Sequence, residues 1–135
     1  MTLVLDANVF LGACLQVEGF SLFGDEELVG PPLLWSETLN AIRDGLHRGE
    51  ISRRLADEGR LRLDGSPVRS RSPKGLRAEA WRIAEDFGWA KTYDAEYLAL
   101  ASMMGVSLIT LDVRLRKGAS RLGFVLTPAE WEQTR

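Results

Sequence analysis

Leu3-Val4-Leu5 is a short unbroken apolar run, the pattern of a strand buried on both faces of a parallel sheet. Asp6-Ala7-Asn8 closes it before Val9-Phe10-Leu11 opens a helix, so Asp6 falls at the strand's C-terminal tip. An acidic, glycine-containing stretch from Glu18 to Glu27 leads to a second apolar run, Leu28-Val29-Gly30. Pro31-Pro32 then suits the first turn of a helix, where a missing N–H costs nothing. Trp35, Leu39, Ile42 and Leu46 recur at helical spacing and predict its buried stripe, with Glu37, Asn40 and Asp44 on the opposite face.

Gly49 reads as a stop, and Ser52 as the cap of a helix running through Leu55 and Ala56 towards Leu63. Asp64-Gly65-Ser66-Pro67 is a turn. Between Pro67 and Pro73 only a short edge strand fits. Ser72-Pro73 marks a helix start carrying Leu76, Ala80, Ile83, Ala84 and Phe87, closed by Gly88. Thr92 caps a helix that is apolar nearly all round (Ala95, Leu98, Ala99, Leu100, Met103) and is expected to be the most buried. Gly105 ends it, and Val106 to Leu111 predicts a second strong strand terminated by Asp112, the arrangement seen at Asp6. A short helix over Leu115 to Leu122, a last strand at Phe124-Val125-Leu126 and a Thr127-Pro128 cap complete the chain. Strands alternating with helices predict an α/β fold with a mostly parallel central sheet covered on both faces.

The 135 residues suit one domain spanning 1–135, and 45% hydrophobic with 27% charged residues is globular rather than disordered composition. No apolar run is long enough for a membrane span, and the start lacks the regions of a signal peptide, so a cytoplasmic protein is expected. The lone Cys14 lies among Leu11, Ala13 and Leu15 and reads as a small buried hydrophobe. Charge changes the picture more. Residues 43–91 carry 12 basic and 8 acidic side chains, a surplus of +4 against −6 elsewhere. A basic middle can hold a polyanion, or can be a solvated helix face.

Asp6, Glu37, Asp94 and Asp112 each stand where an apolar run ends or a helix begins. In a parallel sheet those junctions gather at the carboxyl edge, beside the point where strand order reverses. Four clustered carboxylates repel one another, and a divalent cation relieves that cost. Oxygen-only donors favour Mg²⁺ or Mn²⁺ over Zn²⁺. Such sites hydrolyse phosphodiesters without a histidine base, which matters because His47 is the only histidine and reads as a surface residue of a helix. Singly, each acid has a structural reading as a cap, a turn residue or part of a polar face.

Leu3-Val4-Leu5-Asp6-Ala7-Asn8, Glu37-Thr38-Leu39-Asn40-Ala41, Thr92-Tyr93-Asp94-Ala95-Glu96-Tyr97-Leu98-Ala99-Leu100-Ala101 and Leu108-Ile109-Thr110-Leu111-Asp112 resemble, in order, the acidic motifs of PIN-domain ribonucleases, in particular the VapC-type toxins of toxin–antitoxin pairs. The resemblance covers almost the whole chain. It implies a PIN-like three-layer α/β/α sandwich and an endoribonuclease using Mg²⁺ or Mn²⁺ held by Asp6, Glu37, Asp94 and Asp112. It further implies Asn8 and Thr110 as supports of those acids, an RNA substrate, a homodimer and a cognate VapB-type antitoxin that blocks the acidic cleft. The basic segment 66–77, with Arg69, Arg71 and Lys74, matches no family motif and is either a phosphate contact or a solvated loop. Two other readings remain: a PIN-like module that binds RNA or protein without catalysis, and a phosphatase with Asp6 as covalent nucleophile. The second is weakened by Asn8, which stands where a second acid would be expected.

Overall fold

The computed structural model describes Met1–Arg135 and is organised around five parallel strands in the order β3-β2-β1-β4-β5. β1 (Thr2–Leu5) lies at the centre, with β2 (Glu27–Gly30) on one side and β4 (Ser107–Ile109) on the other. β3 (Arg69–Ser70) and β5 (Val125–Leu126) are two-residue edges, the length to which Pro67 and Pro73 confine the first. The chain builds outward from β1 through β2 to β3, then returns to the other side of β1 for β4 and β5. The strand order therefore reverses between β1 and β4. There Leu5 pairs with Ile109, so Asp6 and Thr110 leave the sheet side by side.

Helices flank the sheet: α1 (Ala7–Cys14), α2 (Leu33–His47), α3 (Arg53–Asp64), α4 (Leu76–Phe87), α5 (Tyr93–Met104), α6 (Val113–Gly118) and α7 (Pro128–Gln133). α1, α2 and α3 pack on one another, while α5 lies on β1 and β4 and packs along α4. One cluster of 28 buried residues fills the layers, with Leu3, Val4 and Leu5 at its centre. As expected, α5 is the most enclosed helix, burying Ala95, Tyr97, Leu98, Ala99, Leu100 and Ala101. Its Met103, however, is exposed. No helix is long and apolar enough to cross a membrane.

Several local expectations shift. The buried face of α2 is Leu34, Thr38, Ile42 and Gly45, whereas Leu39 is 47% exposed. Ile51, in the link before α3, packs on Gly45, and Gly59 of α3 lies against Ile42. α4 begins at Leu76 rather than at Pro73, because Gly75 takes a left-handed φ of 90° that no helix can include. The acidic stretch holds an unanticipated 3-10 turn, Gly19–Phe23, that drives Phe23 into the core against Trp131. The expected helix to Leu122 is divided into α6 and a 3-10 turn, Ser120–Leu122. Thr127 and Glu130 form a reciprocal capping box at α7. Cys14 is fully buried, which pushes its thiol up to about 12, and His47 is on the surface in the last turn of α2.

Much of the basic middle is neutralised locally. Arg48–Asp44, Arg53–Asp57, Arg54–Glu58, Arg62–Glu58 and Arg82–Asp86 are pairs one helical turn apart. Arg71 of the 66–77 segment is likewise paired, with Glu27 at 3.1 Å. The cations of residues 43–91 left without an ion pair are Arg43, Arg69, Lys74, Arg77 and Lys91, three of them outside the helices.

Candidate active site

Asp6 follows β1 and is the N-cap of α1, its Oδ1 accepting from the Ala7 N–H at 2.8 Å. Its Oδ2 accepts from the Thr110 hydroxyl at 2.6 Å. Thr110 is fully buried, and its Oγ1 in turn accepts from the Asp112 N–H at 3.0 Å. One hydroxyl thus ties together the two acids that follow the central strands. Asp112 caps α6 through Oδ1, which accepts from the N–H groups of Arg114 and Leu115, leaving Oδ2 without a protein partner. Asn8 does not touch a carboxylate; its Oδ1 accepts from the Leu111 N–H at 3.1 Å and fixes the backbone just before Asp112.

Glu37 sits in the second turn of α2 and Asp94 in the first turn of α5, where the helix dipole favours a negative charge. Glu37 is half-buried rather than on a solvent face: its Oε1 accepts from the Tyr97 hydroxyl at 2.5 Å. Tyr97 lies one turn beyond Asp94 on α5, so a single bond links α2 to α5 across the site. Burial and the Glu37 carboxylate push the Tyr97 phenol far up, so it remains a donor. Sequence reasoning missed Tyr97, the buried one of the two tyrosines in α5, whose hydroxyl needs a polar partner.

Asp6 and Asp94 both feel neighbouring acids. Burial is the main cause that raises Asp6 from 3.8 to about 6, opposed by the Thr110 and Ala7 hydrogen bonds and increased by the charges of Asp94 and Glu37. Partial desolvation raises Asp94 too, Asp112 adding to it and Arg114 opposing it. Glu96 is a fifth acid in the same field, raised by desolvation and by Glu37. Glu37, Asp94 and Asp112 line a cleft of about 580 Å³ together with Trp89, Lys91 and Arg114. Asp6 lies deeper, buried at the end of β1. A second groove of about 610 Å³ runs between α2 and α3 past Leu39 and Leu46 and contains none of the four acids.

These side chains do not form a ready-made cage, since no three His, Cys, Asp or Glu groups stand in a metal-holding arrangement. The donors nevertheless suit a hard, hydrated cation. All are carboxylate oxygens, the inner carboxylate is destabilised in its ionised form, and Asp112 and Asp94 retain unengaged oxygens facing an open cleft. Mg²⁺ commonly takes one or two carboxylates directly and keeps waters for the rest.

The chain is similar to several known proteins. Residues 3–120 match the PIN domain family. A VapC ribonuclease of Mycobacterium bovis is 32% identical over 119 residues, covering 84% of this chain and 87% of its own length. Ribonuclease VapC9 of Mycobacterium tuberculosis matches to the same extent. Among solved structures, a toxin–antitoxin complex from Klebsiella pneumoniae shares the fold at a TM-score of 0.66 and 17% identity, covering 93% of this chain and 96% of that one.

Proposed function

The chain belongs to the PIN-domain family, and we propose that it is the toxin ribonuclease of a toxin–antitoxin pair, an Mg²⁺- or Mn²⁺-dependent endonuclease that hydrolyses RNA phosphodiester bonds at Asp6, Glu37, Asp94 and Asp112. The observation that carries this reading is geometric: Glu37, Asp94 and Asp112 line one cleft, and the Thr110 hydroxyl ties the Asp6 carboxylate to the Asp112 backbone. A buried carboxylate raised to about 6 beside other carboxylates is an arrangement that gains by binding a cation.

Asp94 and Asp112 at the cleft, with Asp6 behind them, would hold the metal, and Glu37 would join them or orient a bound water. The cation, when bound, supplies a nucleophilic water and charge stabilisation at the phosphate. Thr110 holds the Asp6 carboxylate and the Asp112 backbone in one register. Tyr97 holds Glu37 towards the same edge. No histidine takes part, His47 being remote in the last turn of α2.

Homodimer formation and silencing by a VapB-type antitoxin in a cytoplasmic setting belong to the same reading. Cleavage of total RNA by the purified chain tests it. Activity should require Mg²⁺ or Mn²⁺, stop in excess EDTA, and be lost in a folded Asp94→Asn variant. Undiminished cleavage with EDTA, or by Asp94→Asn, would sink the proposal.

A further inference from the structure

Of the four tryptophans, one is on the surface. Trp35 and Trp89 pack against the core and Trp131 is part of it, whereas Trp81, in the middle of α4, is 63% exposed. The buried side of α4 is Leu76, Ala80, Ile83 and Ala84, so core packing does not account for Trp81. Arg77 precedes it by one turn and Glu85 follows it by one turn, and all three are exposed along a single stripe of the helix. Met103, 41% exposed near the end of α5, extends the apolar part of this face, its methyl carbon 3.9 Å from the Cβ position of Gly75 beside the start of α4.

The charges of α4 fall into two sets. Arg82 is engaged within the helix, by Glu79 and by Asp86 at 2.7 Å. Arg77 and Glu85 join no ion pair of the protein. They stand two turns apart, about 12 Å along the axis, with Trp81 between them, so they do not serve each other. Cation, indole, anion is a sequence that a half-turn about Trp81 converts into its own complement. A second α4 laid antiparallel on the first sets indole against indole and each Arg77 against the other copy's Glu85. A parallel arrangement would oppose like charges at both ends. Contacts closed by a two-fold axis must be self-complementary in this way, a condition that a second copy of this chain meets and an unrelated partner has no need to meet.

From this we infer that α4 is the face through which two copies of this chain associate, antiparallel about a two-fold axis at Trp81, with the two indoles packed together and Arg77 of each paired with Glu85 of the other. The inference rests on the homodimer of the ribonuclease reading and gives it a surface. A central aromatic anchor between charged flanks is the usual anatomy of such a contact. Arg77, Trp81 and Glu85 line no part of the acidic cleft, so the association leaves its carboxylates unobstructed by these three side chains.

Sedimentation velocity of the purified chain over about 1 to 100 μM tests this, and should show a dimer whose population grows with concentration. Trp81→Ser should weaken the dimer on the order of 100-fold, because the two-fold axis removes the anchor twice. Arg77→Glu and Glu85→Arg should each weaken it on the order of 10-fold by opposing like charges at both ends of the contact. The two changes combined in one chain restore opposite charges and should return the affinity to within about 3-fold of wild type. All three positions are exposed, and far-UV circular dichroism verifies that each variant keeps its fold. A chain monomeric throughout the range would leave the face to a partner of another kind and overturn the inference. So would a Trp81→Ser protein that dimerises like wild type, or a combined charge exchange no tighter than either single change. The outcomes separate from those of the nuclease reading. A monomeric chain that cuts RNA defeats the inference alone, whereas a Trp81-dependent dimer that never cuts RNA defeats the nuclease reading alone.

Discussion

Replacing Asp6 with asparagine should stabilise the metal-free protein near neutral pH while abolishing its activity. Asp6 is 6% exposed, and burial lifts it from 3.8 to about 6 even after the Thr110 and Ala7 hydrogen bonds have pulled it down. An acid that holds its proton more tightly when folded contributes its full stability below its unfolded pKa. It loses that contribution as pH rises through the folded value, and the protein stays on a lower plateau above. The difference between 3.8 and about 6 is worth about 3 kcal/mol at each pKa unit's 1.4 kcal/mol, lost between about pH 4 and 6. Asparagine resembles the protonated form and can still accept from Ala7, but its amide cannot replace the carboxylate oxygen that accepts from Thr110. The net gain above pH 6 is therefore about 1–3 kcal/mol, or roughly 3–10 °C for a chain of this size. Thermal and urea melts of both proteins in EDTA, from about pH 4 to 8, measure it. Mg²⁺ should then raise the wild-type curve and leave that of Asp6→Asn nearly unmoved, since binding to the folded state alone is what stabilises. Parallel pH profiles, or a variant less stable than wild type above pH 6, would refute the account of a buried charge awaiting a cation.

Two further substitutions probe how the acids are held. Thr110→Val keeps the volume but removes the bond to Asp6 Oδ2 and the acceptor for the Asp112 N–H; it should cost about 1–3 kcal/mol in urea melts and about 10- to 100-fold in metal affinity by calorimetry, and an unchanged affinity would disprove the bridging role. Tyr97→Phe frees Glu37 from its donor; RNA cleavage should fall about 10-fold with the fold retained by circular dichroism, whereas wild-type rates would show that Glu37 needs no such anchor.

What the sequence made legible follows from how local each signal is. Asp6 could be placed because an apolar run ending in an acid is a property of five or six consecutive residues; Asp112 was expected at the same point of the second strand, but β4 stops at Ile109, so Thr110 stands beside Asp6 and Asp112 follows as the cap of α6. The buried face of α2 was misjudged because it depends on α3, a partner that periodicity cannot see; Leu39, in register with the expected stripe, faces the α2–α3 groove instead. Gly75 overrode the Ser72-Pro73 start signal by its backbone conformation. The count of the basic middle left a polyanion surface and a solvated helix face open, and the spacings Arg53 to Asp57 and Arg54 to Glu58 already encoded part of its internal pairing. The link from Tyr97 to Glu37 spans 60 residues and has no local signature. The convergence of Trp89, Lys91 and Arg114 on the acidic cleft is equally a product of tertiary structure.

The structural and functional readings of the acids turn out not to compete. Asp112 Oδ1 accepts both capping hydrogen bonds of α6, and that engagement fixes the carboxylate so that Oδ2 is turned free beside the cleft. Asp6 does the same at α1 with its two oxygens divided between helix cap and Thr110. Capping is thus the means by which a short side chain at a strand end is oriented, and the separation of the two roles is measurable at Asp112. Asparagine is as good a cap as aspartate, so Asp112→Asn should melt within about 0.5 kcal/mol of wild type, whereas Asp112→Ala should lose about 1 kcal/mol. Both variants remove one negative charge from the cleft, so both should lose cleavage and metal affinity alike. If Asp112→Asn kept full activity, the carboxylate would be a cap and nothing more, and the metal would have to be held by Asp6, Glu37 and Asp94 alone.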